Sequence, residues 1–269
     1  MDYISYSQYN TYKCPRSWYL SKIAQGEEKQ TWYLPIGTAV HQMIEKWIEQ
    51  GKTGDWPEAE AYIYPLIAAQ RAIEPDVDKW LHSGPKDAPF VREKAVQQVS
   101  DCFEEAVMQL DQIDVWAVEY DASGNLPGLE APVRAYIDLI GEHKKKGPVI
   151  VDWKTGSTKP GNFQLETYAA LLQWNNTPWQ DSETGFQGRY IMLAPGTVDT
   201  RYVDLSAVAP AEIGAKYQKV YERMRDKHYE AQAGFDCQFC LQQDNCLVNA
   251  GLTKRALYYD RSGEDGYPF

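Results

Sequence analysis

The sequence predicts a mixed α/β fold: a central mixed sheet flanked by helices, with an N-terminal helical elaboration and a C-terminal Cys-rich lobe. Three observations predict it. Apolar residues recur at helical spacing through the first half of the chain. From Val115 onward, short apolar runs alternate with Gly, Asn and Pro turns. A helix-like segment at 162–174 then crosses between two of those runs, as parallel strands require.

The elements follow in order. Residues 3–23 read as helical, with Ser7 as a cap and Tyr9, Tyr12, Trp18, Tyr19 and Ile23 spaced for one buried face. Gly37 and Thr38 open a second helix through Val40, Ile44 and Trp47, which Gly51 stops. Residues 57–82 and 89–112 read as further helices, parted by Ser83-Gly84-Pro85. Strands follow at 115–120, 133–140 and 149–153, with turns at 124–128 and 141–147. After the crossing helix, 189–193 and 200–203 form a strand pair around Pro195-Gly196, and 210–230 is a long polar helix. Residues 260–269 read as a loose tail. No internal repeat is visible.

Bulk composition narrows the function. With 269 residues, 43% of them hydrophobic and 13% aromatic, the chain can bury a large core. Nine Trp and nineteen Tyr are many; some will be core, and some could stack on bases. A net charge of −11 weighs against general nucleic-acid affinity but leaves room for a local basic groove. No apolar run is long enough to span a membrane, and the N-terminus lacks the regions of a signal peptide, so a cytoplasmic location is expected. Five cysteines in a reducing compartment suggest a metal site rather than disulfides.

The chemistry concentrates in Val149-Ile150-Val151-Asp152-Trp153-Lys154-Thr155-Gly156. Asp152 ends one apolar strand, Asp138 lies at the end of its neighbour, and Lys154 shares a strand face with Asp152. Two carboxylates and a backbone carbonyl, that of Trp153, suit Mg2+ or Mn2+, and a lysine beside them can orient an attacking water. On the crossing helix Gln164 and Tyr168 are i and i+4, so both can face that site. His41 is a further candidate ligand that would tilt preference toward Mn2+, and Glu119 another ligand or base. Cys237, Cys240 and Cys246 fall within ten residues, with Cys14 far upstream. Four thiolates fit tetrahedral zinc or a [4Fe–4S] cluster. Candidate phosphate contacts are Lys216, Lys219, Arg223 and Lys227 on the last long helix, and Lys144, Lys145 and Lys146 in a turn close to the acid pair.

Taken together, Cys14-Pro15, Gly37 to His41, Ile137-Asp138, Asp152 to Gly156, Gln164 to Tyr168 and the three later cysteines resemble the PD-(D/E)XK nucleases of the RecB/AddB type, nearest to the iron–sulfur CRISPR-associated (Cas four-like) exonucleases. The resemblance implies a restriction-endonuclease-like core within one nuclease domain over 1–259. Its helical elaboration would cover about 38–112, its catalytic core about 113–230, and its cluster lobe residue 14 with 237–246. It implies that His41, Asp138 and Asp152 hold the cation, that Lys154, Gln164 and Tyr168 serve catalysis, and that Cys14, Cys237, Cys240 and Cys246 hold a [4Fe–4S] cluster. It further implies exonucleolytic cutting of DNA, preferentially single-stranded, in recombination, repair, phage DNA processing or CRISPR adaptation. A helicase or CRISPR integrase proteins are the implied partners. No G-x4-G-K-[S/T] motif is present, so unwinding is not expected of this chain. The rival expectations are a nuclease-fold adaptor with little cutting of its own, and a zinc-stabilised DNA-binding protein.

Overall fold

The computed structural model describes residues 2–82, 90–156, 161–179, 185–194, 202–234, 237 and 240–246. The chain opens with a two-residue strand, β1 (Ile4–Ser5), and two short helices, α1 (Tyr6–Thr11) and α2 (Pro15–Lys22). The single helix expected over 3–23 is therefore divided. Pro15 excludes helical backbone from the residue before it, and Cys14 is extended, at φ −115° and ψ 96°. Ser5, not Ser7, caps α1, accepting the Gln8 N–H at 3.2 Å.

Helix α3 (Tyr33–Glu49) begins one turn before Gly37, where the sequence placed its start. The Thr31 hydroxyl accepts the Leu34 N–H at 3.2 Å, and Pro35 falls in the first turn, where a missing N–H costs nothing. Helix α4 (Ala59–Ile73) stops short of residue 82; a 3-10 turn at Val77–Lys79 follows. Helix α5 is Arg92–Leu110. The strands are β2 (Ile113–Asp121), β3 (Val133–Arg134), β4 (Tyr136–His143) and β5 (Gly147–Lys154). Helix α6 (Phe163–Trp174), β6 (Gln187–Met192), β7 (Tyr202–Asp204) and α7 (Pro210–Arg225) complete the set. The Ser83-Gly84-Pro85 breaker, Pro195-Gly196 and the 260–269 tail lie outside the described residues.

Among the described residues there are seven α-helices and one mixed five-stranded sheet, ordered β2-β4-β5-β6-β7. All its pairings are antiparallel except β5 with β6, which α6 connects. The central strands β4 and β5 are buried on both faces, which explains their near-continuous apolar sequence. One face, with Leu139, Val149, Val151 and Trp153, packs on Val40, Met43, Ile44, Val99 and Phe103 of α3 and α5. The other, with Ile140, Ile150, Tyr190 and Met192, packs on Leu165, Ala169, Leu172 and Tyr217 of α6 and α7. The sheet thus divides two cores, and the functional residues collect where its strand ends emerge between them.

Gly214 fixes how closely α7 docks. A Cβ there would lie 2.2 Å from the Pro127 carbonyl oxygen. Gly214→Ala should therefore destabilise the fold by about 1–3 kcal/mol, read as a lower denaturant midpoint. An unchanged midpoint would show that the helix is not held this tightly.

Candidate active site

Strands β4 and β5 are antiparallel, with Leu139 opposite Val151. Asp138 and Asp152 each lie one residue beyond that pair, at the open end of the hairpin. The sequence put Asp138 at the end of its strand; it stands near the start of β4, and the antiparallel reversal carries it to the end of β5. The same reversal corrects the position of Lys144, Lys145 and Lys146. They form the turn at the opposite end of the hairpin, roughly 20 Å along the strand from Asp138. Lys144 instead donates to the Asp111 carbonyl at 2.6 Å.

Asp138 and Asp152 are 8% and 1% exposed. Asp138 accepts the Trp153 backbone N–H through Oδ2 at 2.7 Å, which leaves Oδ1 facing His41 Nδ1 at 3.5 Å. His41 Nδ1 is also 3.7 Å from Glu119 Oε1. One donor atom from each of His41, Glu119 and Asp138 lies within 4.8 Å of the others, and no other such set of three occurs among the described residues. Asp152 is outside that set. Its Oδ2 forms an ion pair with Lys154, and its Oδ1 accepts from the Tyr168 hydroxyl at 3.3 Å. Gln164 joins the two partners: its Oε1 accepts from Lys154 Nζ at 3.2 Å, and its Nε2 donates to Tyr168 at 2.7 Å. Trp153 is seen through its N–H, and in a strand the carbonyl of the same residue points to the same side.

The groups arrive from five elements, α3, β2, β4, β5 and α6. His41 sits on α3, whose approach is permitted by Gly37; a Cβ there would be 3.3 Å from Thr155 Oγ1 beyond β5. Glu119 lies in β2 with φ +46°, a left-handed conformation that a side chain adopts at a cost, between the pairs Val118–Leu139 and Tyr120–Ile137. Gln164 and Tyr168 come from α6. Two neighbours carried no signal in the sequence. The Tyr190 ring lies under Lys154, with Nζ 5.5 Å from its centroid, and Tyr6 of α1 is near enough for Lys154 and Asp152 to act on its hydroxyl.

The electrostatics follow from burying acids together. Burial, and then the Asp152 charge, push the Asp138 carboxyl up to about 7. Burial alone would lower the His41 imidazole, but Asp138 and the other carboxylates outweigh it and raise it to about 9. Burial and the same acids hold the Tyr168 phenol well above its usual range, so it acts as a hydrogen-bond donor. An imidazole with two carboxylates is an oxygen-rich donor set that suits Mn2+ and tolerates Mg2+. A cavity of about 1110 Å3 opens over His41, Glu119 and Lys154.

The cysteines also converge. Cys14, Cys237, Cys240 and Cys246 line one small cavity with Ser17 and Leu20. Cys14 and Cys237 each accept a backbone N–H, from Gln232 and Gly234, at 3.4 Å. Cys102 stands apart, buried in α5, its thiol pushed up to about 12 chiefly by burial. The basic stripe on α7 is partly neutralised: Lys216 is 3.7 Å from Glu166, and Arg223 is 2.5 Å from Glu230. Lys219 is exposed on that helix, and Lys227 falls beyond its end.

Comparison with known proteins bears on this geometry. The family model of the PD-(D/E)XK nuclease superfamily matches residues 3–247. The chain belongs to the PD-(D/E)XK nuclease superfamily. Membership points to a metal-dependent nuclease with DNA as its substrate. The chain is similar to the Gene 69 protein of Mycobacterium phage D29, at 26% identity over 91% of this chain and 96% of that protein. It is also similar, at 12% identity and a TM-score of 0.37, to the crystal structure of SSO0001, covering 91% of this nuclease and 96% of that chain. No helix among the described residues is long and apolar enough to cross a membrane.

Protons and a cation compete for His41 and Asp138. The apparent affinity for Mn2+ should therefore strengthen as pH rises from about 7 to about 9, the values to which the two groups are raised. Titration calorimetry across that range would detect it, and a flat affinity would exclude His41 and Asp138 as ligands.

Proposed function

We propose that this nuclease is a metal-dependent DNA exonuclease of the RecB/AddB type, acting on single strands, with a [4Fe–4S] cluster in its cysteine lobe. One observation carries the reading: His41, Glu119 and Asp138 bring donor atoms within 4.8 Å of one another beside the ion pair of buried Asp152 with half-buried Lys154. Ligand duty falls to His41, Glu119 and Asp138, with the Trp153 carbonyl and Asp152 next to them. When bound there, a Mg2+ or Mn2+ ion would polarise a phosphate oxygen and acidify a water. The chain's own groups do the rest. Asp152 holds the Lys154 ammonium, and Gln164 fixes its direction, so that Lys154 can orient the attacking water and stabilise charge building on phosphorus. Tyr168 keeps Asp152 in place through its hydroxyl.

Four cysteines lining one cavity support a bound metal group there, and the family resemblance favours a [4Fe–4S] cluster over zinc. The amides of Gln232 and Gly234 donate toward sulfur, a contact that metal-bound thiolates accept. The site chemistry uses no electron, so the cluster's role is structural. We read the chain as one nuclease domain working in the cytoplasm on opened DNA, in phage DNA processing, recombination or CRISPR adaptation, with a helicase or integrase supplying the strand. A phage protein among its relatives accords with the first of these.

Labelled single-stranded oligonucleotide with Mn2+ should be shortened from an end. Lys154→Ala or Asp152→Ala should lower the rate at least a hundredfold, the order seen when a preorganised charge-stabilising group is removed. Activity that survives either change would refute the reading. Separately, Cys240→Ser should lose iron and inorganic sulfide from anaerobically purified protein; zinc in their place would replace the cluster with a structural metal.

A further inference from the structure

The cavity over the active site has a second wall that belongs to no nuclease motif. It is built where α3 meets the segments that flank α4 and α5. Trp32 lies against Trp80 and Phe90, with ring centroids 4.9 and 5.2 Å apart and planes tilted by 50° and 39°, and His82 stacks on Phe90 at 6.1 Å with 29° between planes. Trp80 and Trp32 are 2% and 3% exposed and form the base of the stack. Phe90 and His82 are half-buried and line the cavity, beside the exposed Tyr33 and Leu34.

The inner rings of this wall, Trp32 and Trp80, are tied to the surrounding backbone. Thr31 and Leu81 form a parallel bridge; Trp32 N–H donates to the Leu81 carbonyl, and Leu81 N–H to the Gln30 carbonyl, each at 2.9 Å. Gln70 of α4 accepts the Thr31 N–H at 3.0 Å, and the Trp80 indole donates to the Glu74 carbonyl at 3.0 Å. The same cavity reaches His41, Glu119 and Lys154. Its acidic members, Glu45 and Glu119, disfavour phosphates anywhere but beside the cation site and Lys154. A volume of about 1110 Å3 exceeds the range of about 300–1000 Å3 usual for one small ligand, leaving room for more than the reacting group.

We propose that this wall is a base-stacking platform: unpaired nucleobases next to the scissile phosphate stack on the Phe90–His82 pair, which the tilted Trp32 and Trp80 rings back, while their backbone runs along the cation site. This rests on the DNA-cleaving reading above, and it assigns the helical insertion the role of selecting an unpaired strand. The occupant is chosen by continuity with the active site and by chemistry. Aromatic rings that line the cavity match the π-faces of bases and favour no particular base.

The test is binding, not cutting. Fluorescence anisotropy of a labelled oligothymidylate, in chelator, would compare the intact chain with Phe90→Leu and His82→Ala, and Phe90→Tyr would serve as the stacking-competent control. Thermal melts would confirm that each variant is folded. Phe90→Leu should weaken binding roughly tenfold and Phe90→Tyr hardly at all, as expected for one base–aromatic stack. Abasic sites introduced singly along the strand should weaken binding to the intact chain at one or two positions, and at those positions the Phe90→Leu defect should vanish. His82→Ala repeats the comparison at the outer end of the stack. Equal affinity of both variants and the intact chain, or abasic losses that simply add to the variants' losses, would overturn the platform while leaving Lys154-dependent cleavage untouched. Cleavage that survives Lys154→Ala, with the stacking coupling preserved, would instead overturn the proposed active-site assignment alone.

Discussion

Two buried carboxylates at the open end of one hairpin are the constraint around which the site is built. Asp138 and Asp152 stand on adjacent strands, almost wholly shielded from water, where like charges repel strongly and neither is well solvated. Such a pair persists only if its surroundings supply compensation. A backbone amide of β5 meets one acid, a lysine of the same strand meets the other, a histidine from α3 approaches from one layer, and a tyrosine from α6 from the opposite layer. Convergence of three layers on this spot is thus an electrostatic necessity as well as a topological one. A carboxyl raised to about 7 and an imidazole raised to about 9 mark the compensation as incomplete, as a cation-binding centre requires.

The sheet makes the arrangement possible because its two cores are separate. Side chains of β4 and β5 alternate between the α3–α5 layer and the α6–α7 layer, so the strands are clamped on both faces and their ends are fixed. Between the layers, at the strand ends, polar side chains escape both cores without reaching bulk solvent. Glu119 reaches this gap only by leaving regular strand geometry. A left-handed residue in mid-strand is unfavourable, and its presence beside His41 and Asp138 is explained if the position of its carboxylate outweighs the strain.

Much of this was legible in the sequence, for reasons tied to local periodicity. Asp152 and Lys154 share a face because a strand repeats every two residues, and Gln164 with Tyr168 because a helix returns after four. In the structure the first pair is joined by an ion pair and the second by a hydrogen bond, and a Lys154–Gln164 hydrogen bond links the two. The misplacement of Lys144 to Lys146 had a different origin. The turn at 141–147 was visible, but its consequence was not followed: residues in a hairpin turn and residues at the hairpin's open end are a strand length apart. Helix ends shifted where local contacts decided them, as where the Thr31 hydroxyl accepts the Leu34 N–H and α3 begins a turn early. The aromatic wall was not readable at all. Trp32, Trp80 and Phe90 are far apart along the chain, and nothing in the spacing of any one of them announces the others.

The cysteine lobe is joined to that wall by a continuous strap. Gln242, wholly buried, donates to Ser21, the Gly26 carbonyl and Glu28, and Asn245 donates to the Glu27 carbonyl. Lys29 completes the seam, its N–H on the Leu241 carbonyl and its ammonium 3.3 Å from Asp244. Two residues later the same strand of chain reaches Thr31 and Trp32, where the contacts to α4 and Leu81 begin. Tyr33, at the mouth of the cavity, has its phenol raised chiefly by burial and then by the neighbouring Cys240. Residues 26–33 therefore carry the lobe on one side and the cavity wall on the other. Cys14 is drawn together with Cys237, Cys240 and Cys246, and the segment they hold is the one that sets the position of the wall relative to His41 on α3.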